Sequence, residues 1–132
     1  MGKDQNTNWG KIGEGIAAAL LENKGYKIIE RNFHAKSGEI DIISKLKKWW
    51  IFVEVKLKKE EDFGDPLEMI QDWKKKRLLK TAQWYLLEKG CDPEKTDWRV
   101  DAIGILFKKD GSKEINHVEN AVFKQEGLWN MK

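Results

Sequence analysis

Two carboxylates and a lysine stand on neighbouring segments of the chain, at a spacing that suits phosphodiester chemistry. Twelve residues separate Asp41 from Glu54, and Lys56 follows Glu54 by two positions. Carboxylate oxygens are ligands that Mg²⁺ binds in proteins, together with waters and substrate phosphate. A bound cation lowers the pKa of its water and polarises the phosphorus centre, and a nearby lysine can offset the developing charge. The pattern predicts a metal-dependent phosphodiesterase centre.

Strand geometry determines whether these residues can meet. Side chains alternate between the two faces of a strand, so Glu54 and Lys56 share a face with Phe52, and Asp41 shares one with Ile43. The connection between the two strands is short, which predicts a hairpin with Asp41 opposite or diagonal to Glu54. Alternating charges usually mark a solvent-facing side, and that is the alternative interpretation. Against it, an unpaired carboxylate in so apolar a strand would be costly.

Hydrophobic periodicity and end signals predict the order helix, three strands, helix, two strands. The helices are predicted at 9–24 and 65–89 and the strands at 26–32, 39–44, 49–57, 98–107 and 115–118. Asp65, Pro66 and Glu68 give the second helix a strong start signal. This order predicts an α/β sandwich around a mixed sheet. We expect one domain over 1–132, with flexible tails at 1–8 and 124–132.

The first helix carries two apolar stripes. One consists of Ile12, Ile16, Ala19 and Leu20. The other consists of Ala17, Ala18 and Leu21, with Glu14 at its head. Because Glu14 is aligned with an otherwise apolar row, it could add a third carboxylate to the site.

Charge and composition limit the classes of protein to which this chain can belong. The net charge is only +3, but lysines and one arginine cluster between Lys45 and Lys80, as in surfaces that neutralise phosphates. A solvated lysine-rich surface is the alternative. No apolar run approaches the ~20 residues that span a bilayer, and the start has no signal-peptide core. A single cysteine, Cys91, is compatible with a reducing compartment, so we expect a cytoplasmic protein without membrane contact.

Beyond these patterns, Asp41 followed by Glu54-Val55-Lys56 resembles the signature of restriction-endonuclease-like nucleases. More closely, the chain resembles the YraN-like family, a bacterial group of proteins classed as endonucleases and similar to archaeal Holliday-junction resolvases. The matching stretches are Gly13-Glu14 with Ala17, Gly25-Tyr26, Arg31-Asn32, 38–43, 52–56, Lys74 with 77–79 and Ala82, 99–101, and His117 with Asn120-Ala121. They cover nearly the whole chain in the family's order.

The resemblance implies a restriction-endonuclease-like three-layer sandwich, with helices flanking a central mixed sheet. It implies that Asp41 and Glu54 are metal ligands, with the Val55 carbonyl as a further ligand for Mg²⁺ or Mn²⁺. Lys56 would be the catalytic lysine and Glu14 the helix-borne acid of the resolvases. The implied activity is endonucleolytic cleavage of DNA, including branched or structured DNA, by a protein that could act as a homodimer.

Several residues outside this centre could contact nucleic acid. Lys58 stands where the family usually carries arginine, which weakens bidentate gripping of a phosphate there. Lys74 falls in the middle of the apolar face of the second helix; it could reach the cleft, although a snorkelling lysine is the commoner case. Most of the seven tryptophans are expected in the core, while Trp49, Trp50 or Trp73 could stack on unpaired bases.

Four other polar residues are not assigned to the site: Arg99 and Asp101 are interpreted as structural, and His34 and His117 as structural or surface residues. Arg99 and Asp101 share a strand face and are expected to pair with each other. His34 and His117 have no metal-type spacing. Two rival functions stay open at this point: a catalytically silent nucleic-acid-binding module of the same fold, and an accessory protein that binds another protein.

Overall fold

A five-stranded mixed sheet carries one helix on each of its faces. The computed structural model describes residues 7–60 and 72–122. The elements are α1 Thr7–Asn23, β1 Lys27–Ala35, β2 Gly38–Leu46, β3 Trp49–Lys59, α2 Asp72–Glu88, β4 Trp98–Phe107 and β5 Lys113–Val122. The predicted order of elements is confirmed.

The strands lie in the order β1-β2-β3-β4-β5, and neighbours are antiparallel except for the parallel pair β3 and β4. A parallel pair needs a crossover connection, and α2 lies in the segment that joins these two strands. β3 is therefore an interior strand, in agreement with its apolar sequence.

Two hydrophobic clusters, one on each face of the sheet, make this a three-layer structure. Phe52 packs with α2 residues such as Leu78 and Leu86, whereas Val53, next along β3, packs with α1 residues such as Leu21. Because successive side chains of a strand point to opposite faces, the two helices cover opposite sides of the sheet. The predicted α/β class, a mixed sheet flanked by helices in three layers, is confirmed.

Several element ends differ from the prediction. α1 begins at Thr7, so residues 7 and 8, which we assigned to a flexible tail, are helical. β4 matches its predicted bounds, whereas β1, β2, β3 and β5 extend past their predicted ends. Lys47 adopts a φ of 56°, which allows a two-residue turn between Leu46 and Trp49. The remaining tail residues, and the start signal predicted for α2 at 65–68, lie outside the described residues.

Burial separates the two stripes of α1. Ala17, Ala18 and Leu21 are buried against the sheet, whereas Ile12 is 52% exposed. The prediction that most tryptophans lie in the core is wrong for the described residues. Of these tryptophans Trp98 is buried, and the others are half-buried or exposed.

Replacing Gly13 by alanine should destabilise the protein, although Gly→Ala in a helix ordinarily stabilises by about 1 kcal/mol. A Cβ at Gly13 would lie 2.3 Å from Leu57 Cδ2 and 2.9 Å from Leu57 Cδ1, so α1 and β3 would be overpacked. Overpacking of this kind costs about 1–3 kcal/mol. Gly15→Ala is the matched control, because nothing lies within 4 Å of its added carbon. Urea unfolding of the two variants measures the difference. Equal stabilisation by both would show that Leu57 moves aside freely.

A buried polar cluster connects β4 to β5 and to the segment between α1 and β1. The Asp101 carboxylate is fully buried and accepts hydrogen bonds from Arg99 Nε at 2.8 Å and from the backbone N–H of Asn120 at 2.8 Å. His117 Nε2 lies 2.9 Å from the second carboxylate oxygen, and Arg99 also donates to the Tyr26 hydroxyl. The predicted structural pairing of Arg99 with Asp101 is confirmed.

Candidate metal centre

The hairpin of β2 and β3 brings the two predicted carboxylates to one place. Ile42 pairs with Val53, the last pair of the ladder, and Asp41 and Glu54 are the next residues along the two strands. Both residues are buried, at 8% and 4% exposure, and both line one cavity of about 150 Å³ between the sheet and α2. The alternative of a solvent-facing charged side does not describe these two residues.

The paired part of β2 and β3 ends where the carboxylates begin. Val55 N–H donates to the Asp41 carboxylate at 2.8 Å, and the last backbone pair on this side is Ile42 with Val53. The N–H and C=O of a strand residue point to the same side, so the Val55 carbonyl is directed past the end of the ladder, toward the Asp41 side. This position is consistent with the ligand role that the resemblance implies for Val55.

Two lysines from different elements meet at Glu54. Lys56 Nζ, from the same strand, lies 3.6 Å from Glu54 Oε2, and Lys74 Nζ, from α2, lies 2.9 Å from the same oxygen. Both lysine side chains are largely covered, at 21% and 32% exposure. For Lys74 the interpretation as a snorkelling surface lysine is therefore wrong, since its ammonium group points into the cavity.

Burial and charge act differently on the two lysines. Burial lowers the pKa of Lys56 below its ordinary value, and the positive charge of Lys74 adds to this effect against the opposing attraction of Glu54. Burial also acts to lower the pKa of Lys74, but the Glu54 carboxylate outweighs it and the pKa of Lys74 is raised. Lys74 is thus held as the charged partner of Glu54, while Lys56 is the more weakly basic amine.

Glu14 lies on the α1 side of the sheet. Its nearest described partner is Arg31, with 3.8 Å between Arg31 Nη2 and Glu14 Oε1. That carboxylate oxygen is buried and has no hydrogen-bond partner within residues 7–60 and 72–122. Glu14 is not among the described lining residues of the cavity, so its role as a further acid at the site stays a prediction.

α2 is fixed to the hairpin of β1 and β2 at the mouth of the cavity. Arg77 Nε donates to the Ser37 carbonyl at 2.8 Å, and the Ser37 and Thr81 hydroxyls lie 2.8 Å apart. These contacts hold the helix that carries Lys74 against the strand that carries Asp41. Glu39 and Trp73 also line the cavity and form part of its rim. Lys58, two positions beyond Lys56 on β3, is half-buried, and its nucleic-acid role stays a prediction.

The donor set fits a hard divalent cation. Mg²⁺ takes one or two carboxylates and completes its shell with water and phosphate oxygens, and Asp41 and Glu54 supply two buried carboxylates on one cavity. Glu54 already binds positive charge there, because two ammonium groups approach one of its oxygens. In the described part of the chain no group of three or more His, Cys, Asp or Glu side chains is placed to hold a metal.

Comparison with known proteins decides the family. The uncharacterised protein family UPF0102 matches residues 13–105. The chain belongs to this family. The resemblance to the YraN-like family is thereby confirmed, because the two names denote one group. UPF0102 membership and the fold support a nuclease-like protein and name no specific activity.

Relatives in the UPF0102 family match the chain over most of its length. A UPF0102 protein of Clostridium botulinum strain 657 is 40% identical over 88% of this chain and 94% of its own. UPF0102 proteins of Geotalea daltonii and Caldanaerobacter subterraneus are each 37% identical, over 91% and 85% of this chain and 93% and 92% of theirs. Among solved structures, SfsA of Pyrococcus furiosus in complex with Ca²⁺ is similar with a TM-score of 0.38 and 18% identity, over 89% of this chain and 63% of that one. Neither described helix of the UPF0102 chain has the length and apolar character needed to cross a membrane.

Proposed function

We propose that this UPF0102 protein is a metal-dependent endonuclease that hydrolyses phosphodiester bonds in DNA. The observation that carries the proposal is the burial of Asp41 and Glu54 on one cavity with the ammonium groups of Lys56 and Lys74 beside them. Two carboxylates bind a cation, and two lysines bind the phosphate that it activates.

Each residue of the centre has a role in this proposal. Asp41 and Glu54 would hold Mg²⁺ or Mn²⁺, with the Val55 carbonyl as a further ligand. When bound, the cation supplies a water of lowered pKa and polarises the phosphate. Lys56 donates hydrogen bonds to the attacking water or to a phosphate oxygen, and its lowered pKa suits proton transfer. Lys74 offsets the negative charge that develops on the phosphate.

The substrate side of the proposal follows from the charges around the cavity. Lys74 and Arg77 of α2 line this cavity, and Lys75, Lys76 and Lys80 add further cations elsewhere on the same helix. Such a basic helix suits contact with the phosphates that flank the cleaved bond. We also propose that the substrates include branched or otherwise structured DNA. The protein would act on them as a homodimer, which sedimentation velocity would detect. Binding to DNA should weaken steeply as salt is added.

A catalytically silent nucleic-acid-binding module is the second candidate. It is favoured by the ion pairs of Glu54, since a carboxylate already neutralised by Lys74 and Lys56 forms a complete polar cluster without a metal. The two functions differ in whether a divalent cation binds. Calorimetric titration with Mn²⁺ separates them, because only the endonuclease should bind it.

The proposal is tested by incubating the protein with Mg²⁺ or Mn²⁺ and a panel of linear, flapped and four-way DNA. We expect cleavage of at least one substrate, and loss of that cleavage when EDTA is added. A parallel purification from cells without the expressed protein controls for contaminating nucleases. No cleavage of any substrate, together with no heat on Mn²⁺ addition, would overturn the proposal in favour of the silent module.

Replacing Lys74 by methionine should tighten metal binding, because the ammonium group competes with the cation for Glu54. We expect the Kd for Mn²⁺ to fall by roughly tenfold, the factor that about 1.4 kcal/mol represents. Lys75→Met is the matched control: its side chain is 34% exposed, similar to that of Lys74, but it pairs with Asp72. Isothermal titration without DNA gives both values. Equal affinities in the two variants would show that Lys74 does not compete for the site.

A further inference from the structure

An exposed tryptophan stands at the rim of the candidate metal centre. Trp73 lies in the first turn of α2 and lines the same cavity as Asp41 and Glu54, yet 56% of it is exposed. Trp84, on the same helix, is 48% exposed and lines a different cavity, formed with the end of β1. Trp73 is therefore an exposed aromatic side chain that lies beside the reacting groups.

A neighbouring cation holds the Trp73 ring in position. The Arg77 guanidinium, one turn further along α2, lies 5.7 Å from the centre of the Trp73 ring. Arg77 is itself anchored, since its Nε donates to the Ser37 carbonyl at 2.8 Å. The ring and the guanidinium thus form a pair that is fixed to the hairpin of β1 and β2 before any ligand arrives. Pre-positioned groups lose less conformational entropy when they bind.

The charges beside Trp73 indicate what kind of ligand it would meet. Lys74 and Lys56 carry ammonium groups next to the carboxylates, and these cations suit a phosphate in the cavity. A nucleobase is attached to such a phosphate through one sugar, so it would lie near the rim. Inside a duplex both faces of a base are covered by its neighbours. Only an unpaired or terminal base can offer a free face to an aromatic ring.

We propose that Trp73, supported by Arg77, is a stacking subsite for an unpaired nucleotide next to the cleaved phosphate. This inference rests on the proposed endonuclease function and names its substrate class: DNA with a single-stranded arm or flap where it joins a duplex. Loss of the ring should reduce affinity for such DNA by about five- to 150-fold, the range measured for base–aromatic stacking. Affinity for blunt duplex should change much less, because such DNA offers free base faces only at its two ends.

The test measures binding in EDTA, so that no cleavage occurs. Fluorescence anisotropy gives the Kd of each variant for a blunt duplex and for the same duplex with a single-stranded arm. We expect Trp73→Ala to lose the preference for the arm and Trp73→Phe to keep most of it. Trp84→Ala, the matched exposed tryptophan of α2, should behave as the wild type. A 2-aminopurine at the first unpaired position should be quenched by the wild type and not by Trp73→Ala.

Each outcome decides the proposal. Trp73→Ala and Trp84→Ala could lose equal affinity for the DNA with the arm, or the wild type could show no preference for the arm. Either result would overturn the stacking subsite. The endonuclease function would still be tested by the cleavage assay. If the preference depends on Trp73 but no substrate is cut with Mg²⁺ or Mn²⁺, the subsite stands and the endonuclease function falls. A wild type that binds neither DNA overturns the subsite, and the cleavage assay with Mg²⁺ or Mn²⁺ then decides the endonuclease function.

Discussion

Substitution of Glu54 by glutamine should abolish DNA cleavage while leaving the protein folded. The amide keeps the volume of the buried side chain and can still accept a hydrogen bond from Lys74, whose Nζ lies 2.9 Å from Glu54 Oε2. The Lys56 ammonium group lies further away, at 3.6 Å. It removes the negative charge that a divalent cation needs at this position. We expect the rate of cleavage to fall by at least about 100-fold, as for the loss of a preorganised electrostatic group. A gel assay on the best wild-type substrate measures the rate.

A second carboxylate on the same cavity provides the control for this variant. Glu39 also lines the cavity, but its side chain is 41% exposed and lies 4.0 Å from His34 Nδ1. Glu39→Gln should stay near the wild-type rate, and circular dichroism should show that both variants are folded. If Glu54→Gln cuts as fast as the wild type, the activity comes from a contaminant or from another site. If Glu39→Gln is equally inactive, Glu54 is not the specific ligand.

Removal of the Asp101 carboxylate should have the largest effect on stability. Asp101→Ala leaves Arg99, His117 and the Asn120 N–H facing a buried space without their acceptor. Breaking a buried charged pair by deleting one partner costs about 3–5 kcal/mol. Urea unfolding at neutral pH gives the free energy. Asp97→Asn is the control, since it breaks only an exposed pair with Lys48 and should cost at most about 1 kcal/mol.

The pH dependence of stability gives an independent test of the same residue. Burial acts to raise the pKa of Asp101, but hydrogen bonds from His117, Arg99 and the Asn120 backbone outweigh it and the pKa is lowered. A carboxyl group with a lowered pKa in the folded state stabilises the fold above its unfolded pKa of about 3.9, and this stabilisation is lost as the pH falls toward the folded pKa. The stability difference between the wild type and Asp101→Asn should therefore shrink below about pH 4. A constant difference between pH 7 and pH 3 would contradict this assignment.

The sequence predicted the order of elements because periodicity and turn residues are local properties. The ends of the strands were harder to place. Lys47 adopts a positive φ without being glycine, so nothing in its type indicated a two-residue turn. β5 has ten residues, although only four were predicted, because most of its side chains are exposed and show no apolar alternation. Edge strands of this kind are stabilised by backbone pairing, which side-chain patterns do not report.

The candidate site was predictable to the extent that it lies on one hairpin. The alternation of side chains on β2 and β3 is sufficient to place Asp41 beside Glu54 and Lys56. The contact of the Lys74 side chain with Glu54 depends on the rotation of α2 and on its distance from the sheet. Helical periodicity does not determine either of these. The sequence singled out Lys74 as a cation in the middle of an apolar helix face that could reach the cleft, but it did not indicate the ion pair with Glu54.

The hydrogen bond between Asp41 and the Val55 N–H bears on how sequences of relatives should be interpreted. This carboxylate accepts a hydrogen bond from a β3 backbone N–H just beyond the last backbone pair of β2 and β3. A lineage that abandoned catalysis would still gain stability by keeping an aspartate there. Persistence of Asp41 is therefore ambiguous about activity. Glu54 and Lys74 come from separate elements of the fold. Whether relatives keep both residues or lose both therefore indicates more about catalytic activity than the presence of Asp41 does.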